Sequence, residues 1–509
     1  MRYEPYLIAD LRTGLELDKK PWLLPKDAFS DMKNAFLRDG VLQKRLGYSL
    51  FTDTAAGNPI VGIFEYVETD GSKTLMVADT RRLYEYSGGS LVDRDGSDQW
   101  TGDETHLLSV VQWDGTAYMA NGRDQTRTWD GTTAADLVAD LDSDLANDVD
   151  YCSFLAIHKE RLIMFRPSES GTLCPQRARW CVAADPTDWT NDEYLDAPTN
   201  EWIRGIAHLG DDIIVWFDAS VWMFRYTADS AAPFRWDRIS NEEGCLAGFS
   251  VLNKGDRVIA LGKAGLVTTD GLAAKRFDDL IPDFALTFDQ GKAAQCVIHD
   301  LEDQRQAWLL YPENGEDTPN MALVWNYADG SWARFDMPMI CFGKYSAAEA
   351  STWGAISGTW AAQMGAWGSA GTQGGYPIVL AGDMSGYVYR LNNTGADNSG
   401  SIEMVIESGR WNPYSKQGRR ARMGHIDLLV ESDSRTEASV GLYLDYEDAP
   451  YQTATLSFDQ TGQRAWVRIF SGAAGAFHRI KIMHTAANQP VQIHAIMPWF
   501  APMGGRLYG

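Results

Sequence analysis

The chain has 509 residues, of which 45% are hydrophobic and 22% charged, which allows large cores and excludes a disordered chain. Its 45 lysines and arginines stand against 69 aspartates and glutamates, a net charge of −24. That balance argues against a protein that coats nucleic acid, because coating needs cations at the phosphates, but it allows a protein that lets DNA pass. No run of 18 apolar residues is present, so no membrane anchor is expected.

Residues 1–51 are predicted to form an N-terminal arm and a first strand. Pro21 and Pro25 favour extended backbone before them. The apolar residues between Ala28 and Phe36 recur at helical spacing, which predicts a short helix that ends at Asp39-Gly40. Residues 41–51 then have the composition of a strand.

Residues 52–395 repeat one pattern of three or four short strands about every 40–50 residues. The strands are separated by Asp-Gly or Gly-Gly turns, such as Asp70-Gly71 and Asp270-Gly271, which are strong hairpin signals. No long helix is expected between them. The sequence therefore predicts an all-β fold whose first domain is a β-propeller of six or seven blades.

An acidic segment, residues 93–150, is expected to interrupt the blades as a loop, although one copy of the strand repeat, residues 107–131, lies within it. It holds fourteen acidic residues against three arginines. Because Leu145 and Tyr151 stand where an EF-hand needs glycine and glutamate, that calcium motif is excluded. A looser calcium or magnesium loop and a solvated acidic loop both stay open. The residues expected to face a DNA channel or solvent are Asp140, Asp142, Asp144 and Asp148.

A second interruption, residues 353–375, is rich in glycine and tryptophan. Trp353, Trp360 and Trp367 recur every seven residues, a spacing that returns a side chain to nearly the same helix face. This predicts an apolar stripe that contacts a partner or another surface. The glycines between them cost about 1 kcal/mol each in a helix, which favours a packed irregular loop instead.

Residues 396–509 contain seven candidate strands at short spacing, which predict a small antiparallel β-sandwich. The apolar tail at 497–503 is expected to dock on a neighbour. The basic pair Arg419-Arg420 can contact phosphate or form salt bridges with an acidic neighbour. Arg419 and Arg420, together with Trp499 and Phe500, are the candidate contacts between subunits.

Motifs for cofactor or nucleophile chemistry are missing. The six cysteines form no CxxC pair, the eight histidines form no HExxH motif, and no P-loop or GxGxxG loop is present. Residues 93–100 and 327–332 have aspartate and tryptophan in the wrong register for a sialidase-type turn. We therefore predict no cofactor, no metal, no catalysis, and reduced thiols in a protein folded in the cytoplasm. Two carboxylates facing across a channel would support glycoside cleavage, and sequence spacing does not reveal such a pair.

Several of these stretches together resemble one protein family. The N-terminal part of the resemblance consists of Gly14-Leu15, Leu24-Pro25, Asp31, Asn34 and Asp39-Gly40-Val41-Leu42-Gln43-Lys44-Arg45-Leu46-Gly47-Tyr48. A second run spans residues 179–190 (RWCVAADPTDWT), with Cys181 where serine is usual. Residues 265–271 and 386–391 fit blade-closing strands. The family is the propeller-type nozzle, or tail hub, of short-tailed bacteriophages, which includes the packaged-DNA stabilisation proteins.

The resemblance implies a virion protein of the tail that is assembled in the host cytoplasm. It implies a hexameric ring below the portal and adaptor that retains packaged DNA and conducts it during ejection, without specific binding. A negative wall would repel phosphate and permit sliding. No catalytic residue is implied. The alternatives are a receptor-binding or polysaccharide-cleaving tail propeller, and a propeller adaptor in a bacterial complex unrelated to phage.

Overall fold

The computed structural model describes residues 2–97, 99–137, 141, 148–190, 193–346 and 377–506. Strands dominate these ranges, and the helical segments within them are short 3-10 turns. The 3-10 turns are Gly248–Ser250, Phe284–Leu286, Gln290–Gln295 and Ser415–Gln417. The all-β prediction is confirmed.

Within the described residues, seven antiparallel units of four strands follow one another and form the blades of a propeller; six are separate sheets, and the unit of blade 6 belongs to a larger sheet. First strands of neighbouring blades other than blades 3 and 4 lie against each other, and the first strand of blade 7 packs against that of blade 1, which closes the ring. Blades 3 and 4 share an aromatic core that includes Phe165, Trp180 and Phe224. The propeller prediction is confirmed, with seven blades.

The blade strands lie in chain order except for the outer strand of blade 7. They are, for blade 1, Ile60–Val67, Lys73–Asp79, Leu83–Ser87 and Ser90–Asp93; for blade 2, Ser109–Trp113, Thr116–Ala120, Arg127–Trp129 and Ala134–Asp136; for blade 3, Phe154–Ile157, Leu162–Phe165, Arg177–Trp180 and Tyr194–Asp196; for blade 4, Ile203–Leu209, Asp212–Phe217, Val221–Tyr226 and Phe234–Ser240; for blade 5, Leu252–Asn253, Val258–Leu261, Leu266–Thr269 and Ala274–Arg276; for blade 6, Val297–Leu301, Gln306–Tyr311, Met321–Asn326 and Ser331–Asp336; and for blade 7, Cys341–Ser346, Pro377–Gly382, Val388–Thr394 and Gly47–Leu50. A small sheet beside blade 3 consists of Val149–Tyr151, Ser168–Glu169 and Thr172–Leu173.

The outer strand of blade 7 comes from the N-terminal region. Gly47–Leu50 pairs antiparallel with Val388–Thr394, with Leu50 opposite Tyr389 and Ser49 opposite Arg390. The last blade is therefore built from both ends of the propeller sequence. Without Gly47–Leu50, the strand Val388–Thr394 would be an unpaired edge of the sheet. The pairing of these two strands therefore stabilises the closed ring.

The acidic segment does not interrupt the blades, which corrects the expectation for residues 93–150. All four strands of blade 2 lie inside it. Some of its described aspartates cap turns: Asp130, for example, accepts backbone N–H bonds from Thr132 and Thr133 at 2.9 and 2.7 Å. These bonds hold the pKa of Asp130 below its ordinary value. Several of the described acidic residues thus belong to turns.

The predicted helix between Ala28 and Phe36 is wrong, because that segment forms the strands Ala28–Lys33 and Ala35–Arg38. Between them Asn34 has a left-handed φ of 54°, which breaks any helical run. Ala28–Lys33 pairs with Met404–Ser408 far along the chain. Tertiary pairing therefore overrides the local apolar spacing.

The second domain is a sandwich of two antiparallel sheets, S1 and S2, to which the extended N-terminal arm adds strands. In spatial order S1 contains Ala35–Arg38, Val41–Lys44, Val491–Arg506, Arg419–Ser432 and Ala465–Phe470, with Glu4–Pro5 and Ala474–Gly475 at its sides. In the same order S2 contains Ala28–Lys33, Met404–Ser408, His478–His484, Thr436–Leu444 and Gln452–Phe458, with Gly14–Leu15 beside the first of these.

The sandwich core lies between S1 and S2. Leu42, Ile493 and Ile496 of S1 meet Phe29, Ile406, Ile480 and Ile482 of S2, all of them buried. S2 continues into blade 6, because Lys33 pairs in parallel with Arg334. The two domains are thus joined by a shared sheet.

The apolar tail is part of S1. Val491–Arg506 pairs along most of its length with Arg419–Ser432. No helix within the described residues is long and apolar enough to cross a membrane.

Candidate functional site

The residues that carry the N-terminal resemblance meet where the propeller joins the sandwich. We call this place the junction; it consists of Asn34, Lys44, Arg45, Gly47 and Asp397. The hairpin that brings them there turns at Asp39 and Gly40, whose φ angles are 54° and 79°. Two left-handed residues form the tight turn that suits a two-residue hairpin, which accounts for Asp-Gly in the motif.

Arg45 is the centre of the junction, and its side chain is 1% exposed. Its Nη1 and Nη2 atoms donate to the two carboxylate oxygens of Asp397 at 2.8 and 2.6 Å. Nη2 also donates to the backbone carbonyl of Asp336 in blade 6 at 2.9 Å. Arg45 therefore ties the N-terminal arm to blade 6 and to the segment that follows blade 7.

Asn34 completes this network, and it is fully buried. Its Oδ1 accepts from Arg45 Nε at 2.7 Å and from the backbone N–H of Asp336 at 2.9 Å. Its Nδ2 donates to Asp336 Oδ2 and to the carbonyl of Glu403, each at 2.8 Å. Both donors and the acceptor of this amide are in use, so the left-handed backbone at Asn34 is held by four bonds.

Lys44 and His484 form a second buried pair beside Arg45. Lys44 Nζ donates to His484 Nδ1 at 3.0 Å, so the ring carries its own hydrogen on Nε2 and donates to Thr436 Oγ1 at 2.8 Å. Burial and then Arg45 lower the pKa of Lys44 to about 8. Burial and then Lys44 lower the pKa of His484 to about 4.

Gly47 sits against backbone and admits no side chain. A Cβ there would lie 2.1 Å from the carbonyl oxygen of Ala396. The next residue, Tyr48, packs edge-on against Tyr389 with ring centroids 5.2 Å apart. Burial and then Asp397 raise the pKa of Tyr48 to about 12. The junction is thus a closed, hydrogen-bonded clamp, and its chemistry is that of fixing two domains.

The second motif, residues 179–190, forms a turn of blade 3. Asp185 accepts from the backbone N–H of Thr187 at 3.0 Å, and Trp189 Nε1 donates to the carbonyl of Pro186 at 3.0 Å. Arg179 is buried and donates to Glu169 at 2.7 Å. Cys181 is buried, which raises the pKa of its thiol to about 11. Like the residues of the junction, the residues of this motif stabilise the fold.

Of the four acidic candidates, Asp140, Asp142 and Asp144 lie outside the described residues. Asp148 is half-buried at the start of the small sheet, where its carbonyl accepts from Ser170 N–H at 3.1 Å. Trp353, Trp360 and Trp367 also lie outside the described residues. Ser346 and Pro377, which flank that insertion, pair with each other in blade 7. The insertion therefore begins and ends at one end of that blade.

The expected subunit contacts divide into two groups. Arg419 and Arg420 are exposed on S1, and Arg420 reaches Asp445 at 3.5 Å. Trp499 is half-buried; it stacks on His425 and donates to Asp427 at 3.0 Å. Phe500 is fully buried inside the sandwich, which corrects its expected role as a contact with a neighbour.

An aromatic face on S1 is not among the expectations drawn from the sequence. It consists of Trp466, Phe470, Trp499 and His425, and its first two side chains are 50% and 67% exposed. Trp466 and Phe470 alternate with buried or half-buried residues on an edge strand. Residues 465–470 could have predicted this face, because side chains alternate along a strand and the large residues Trp466 and Phe470 stand at alternate positions.

The inner strands of the propeller are the first strands named above for each of the seven blades. These seven strands, all described, carry two carboxylates, Glu65 and Asp300. Glu65 pairs with Lys73 at 2.8 Å and Asp300 with Lys254 at 2.6 Å. Within the described ranges no three metal-ligating side chains come together.

No family model matches the sequence. A search of curated proteins likewise finds no match. Among solved structures, the extracellular domain of a hybrid two-component system protein from B. thetaiotaomicron is 10% identical over 86% of this chain and 61% of its own, with a TM-score of 0.40. YCF48 bound to D1 peptide is 8% identical over 68% of this chain and 97% of its own, with a TM-score of 0.37.

An exo-β-1,3-galactanase from Phanerochaete chrysosporium is 8% identical over 83% of this chain and 100% of its own, with a TM-score of 0.28. The present chain thus spans less than two thirds of the first of these three structures. TM-scores at or below 0.40 are too low for these likenesses to bear on function.

Proposed function

We propose that the chain is a non-enzymatic structural protein of a phage tail. In this proposal six copies form a ring below the portal and adaptor, retain packaged DNA and conduct it during ejection. The observation that carries the proposal is the place of the residues behind the resemblance. Asn34, Arg45 and Gly47 fix the propeller to the sandwich. A ring subunit that keeps its shape while DNA moves past needs its two domains held in this way.

The charge of the chain supports the same role. A net charge of −24 disfavours a lasting grip on DNA phosphates. A negatively charged wall repels the duplex and lets it slide, and this repulsion weakens as salt screens it.

The aromatic face is the contact between subunits in this proposal. Trp466 and Phe470 are exposed on an edge strand, and contact surfaces between proteins are enriched in such aromatics. A ring needs a head-to-tail contact that closes after a fixed number of copies. The double variant Trp466→Ser/Phe470→Ser is therefore expected to stay folded and to lose ring assembly. Leu272→Ser, at an 85% exposed site on the propeller, is the matched control and is expected to assemble.

The proposal is tested by counting copies. Purified virion tails are analysed by quantitative mass spectrometry, and the purified chain by native mass spectrometry before and after assembly. Six copies per tail, and particles that lose their DNA when the chain is absent, are the expected results. Absence from virions, or a copy number far from six, overturns the proposal.

The alternative of polysaccharide cleavage is disfavoured by the inner strands, since Glu65 and Asp300 are each neutralised by a lysine. Incubation of the purified chain with host surface polysaccharide is expected to release no reducing ends. Release that stops in the Asp300→Asn variant would favour the alternative instead.

A further inference from the structure

Charge is divided unequally between the parts of the chain. Residues 52–395, which contain the propeller, have 51 acidic and 25 basic residues, a net charge of −26. Residues 396–509 have eleven of each kind, and residues 1–51 have seven acidic and nine basic residues. The negative charge of the chain therefore belongs to the propeller, whereas the arm and the sandwich together carry a small positive charge.

Five cations of the sandwich lie in one short stretch of the chain at one end of S1. We call them the basic surface, which consists of Arg410, Lys416, Arg419, Arg420 and Arg422. The stretch follows the strand Met404–Ser408, passes the 3-10 turn Ser415–Gln417 and enters the strand Arg419–Ser432. Residues 410–422 include no aspartate or glutamate. Positive charge is thus concentrated at one place of a strongly negative chain.

The fold neutralises little of this charge. Among the described residues, Asp445 is the only carboxylate that forms an ion pair with the basic surface, 3.5 Å from Arg420. One oxygen of Asp445 already accepts from two backbone N–H groups. Glu447 and Asp448 follow in the same loop and are exposed. Five cations thus stand beside three carboxylates, and most of the cations have no ionic partner in the described part of the chain.

Two exposed aromatic side chains lie beside the basic surface. The guanidinium group of Arg410 lies over the ring of Tyr446, 4.9 Å from its centroid. Trp22 of the N-terminal arm packs edge-on against Tyr446, with ring centroids 5.8 Å apart. Contacts between proteins are enriched in tryptophan, tyrosine and arginine. The composition of this region therefore fits a protein partner.

The basic surface is continuous with the aromatic face. Arg422 Nε donates to the carbonyl of Gly472 at 3.0 Å, and Gly472 follows Phe470 by two residues. The proposed ring places the aromatic face between subunits. One side of the sandwich thus presents exposed aromatic side chains together with positive charge that the fold does not neutralise.

We propose that the basic surface binds the propeller of a second copy of this chain, so that each contact in the ring joins the sandwich of one copy to the propeller of the next. The inference rests on the proposed ring and names the two surfaces that meet. Five cations attract a propeller whose net charge is −26. Because these surfaces differ, the contact is head-to-tail, as a closed ring requires. Duplex DNA fits less well, since the propeller fixed to the same sandwich repels its phosphates.

The first test measures self-association of the purified full chain by sedimentation velocity. Raising NaCl from about 0.05 to 0.5 M is expected to weaken association at least about ten-fold, because salt screens exposed charges. Arg419→Glu/Arg420→Glu is expected to weaken it at least about ten-fold at the lower salt concentration, because like charges then meet. Arg12→Glu/Arg435→Glu makes the same change of charge at exposed positions outside the basic surface and is expected to associate normally.

The second test identifies the surface that the cations contact. A carbodiimide joins a lysine directly to a carboxylate beside it, and a mixture of isotope-labelled and unlabelled copies separates links between copies from links within one. Mass spectrometry is expected to find Lys416 joined to a propeller carboxylate of another copy. Links from Lys416 to sandwich carboxylates alone, a chain that stays monomeric at low salt, or equal association of the two double variants overturns the inference.

Failure of this inference is distinguishable from failure of the proposed function. A tail ring of six copies whose assembly ignores the charge reversal contradicts the contact alone, whereas a chain that associates through this contact but is absent from virions contradicts the tail function alone. A duplex oligonucleotide that binds the chain, and is lost in Arg419→Glu/Arg420→Glu, would replace the second copy by nucleic acid. Circular dichroism establishes that the variant is folded, and Arg419→Gln/Arg420→Gln provides the readout if it is not.

Discussion

Every guanidinium nitrogen of Arg45 donates a hydrogen bond, and the bonds reach three separate parts of the chain: Asn34, Asp336 and Asp397. The net stability that such an ion pair adds is small, whereas the stability lost when one partner is removed is large. A buried carboxylate left without its partner is far less stable than the pair, whereas the pair itself is nearly neutral relative to apolar packing.

Replacing Arg45 by methionine is therefore expected to lower the free energy of unfolding by about 3–5 kcal/mol. Arg45→Lys is expected to lose most of the same stability, because one ammonium group cannot bridge three partners. Urea unfolding followed by tryptophan fluorescence measures both effects. Arg12→Met, whose side chain is 61% exposed, is the control and should change little. Equal effects at Arg45 and Arg12 would contradict the clamp.

His484 predicts how stability depends on acid. Its pKa is lowered to about 4 in the folded chain, from an ordinary value of 6.5, so the unfolded chain takes up a proton at higher pH than the folded one. Stability is therefore lost as the pH falls from 6.5 towards 4, by up to about 3 kcal/mol for this group. His484→Gln should flatten that part of the profile, and urea unfolding at pH 7 and 4.5 measures it. A slope in His484→Gln equal to that of the wild type would contradict this assignment.

At the scale of the strand and turn, aspartate side chains repeatedly accept hydrogen bonds from backbone N–H groups. Asp270 accepts from the backbone N–H groups of Leu272 and Ala273, and Asp383 does the same for Ser385 and Tyr387. A carboxylate that satisfies the backbone two residues on needs no distant partner. The repeat of hairpins could be predicted for that reason, since each turn is encoded within about four residues.

Pairings between distant strands could not be predicted in that way. The apolar spacing of residues 28–36 fits a helix, and nothing within the segment shows that Met404–Ser408 will pair with it. The charge of residues 93–150 suggested a loop, whereas the Asp-Gly turns at 114–115 and 130–131 fit the hairpins of blade 2. At the junction, the resemblance identified Asn34 and Arg45, whereas their partners Asp336 and Asp397 came only from the structure.

Gly47 tests the close approach between the N-terminal strand and the end of blade 7. Gly47→Ala places a Cβ 2.1 Å from the carbonyl oxygen of Ala396, so backbone must move. We expect the free energy of unfolding to fall by at least about 2 kcal/mol. Gly504→Ala is the matched control, because a Cβ there meets nothing within 4 Å. Thermal unfolding of both variants decides the matter, and a wild-type melting temperature for Gly47→Ala would contradict the packing.

At the scale of the whole molecule, the N-terminal arm contributes strands to both domains. It supplies Ala28–Lys33 to S2, Val41–Lys44 to S1 and Gly47–Leu50 to blade 7. Propeller and sandwich are thus a single interlocked body, although most of each domain is contiguous in sequence. Polar bonds at the junction reinforce this interlock.

Deletion of residues 1–46 is therefore expected to destabilise both domains together. The sandwich loses a strand between S2 and blade 6, and S1 loses its hairpin. The truncated chain should show no cooperative unfolding transition at the wild-type urea concentration, measured by circular dichroism and fluorescence. A truncated chain that unfolds cooperatively at the wild-type midpoint would show that the arm is an accessory.

Because the N-terminal arm pairs with strands late in the chain, it also determines how early the fold can be completed during biosynthesis. The N-terminal arm leaves the ribosome first, yet its partner strands at 388–394, 404–408 and 491–506 emerge about 340–450 residues later, which at about 5–20 residues per second is roughly 15–90 s. During that time three strands with unsatisfied edges wait in solution. We therefore expect the nascent chain to need shielding, by a chaperone or by the ribosome surface, until its own last strands emerge.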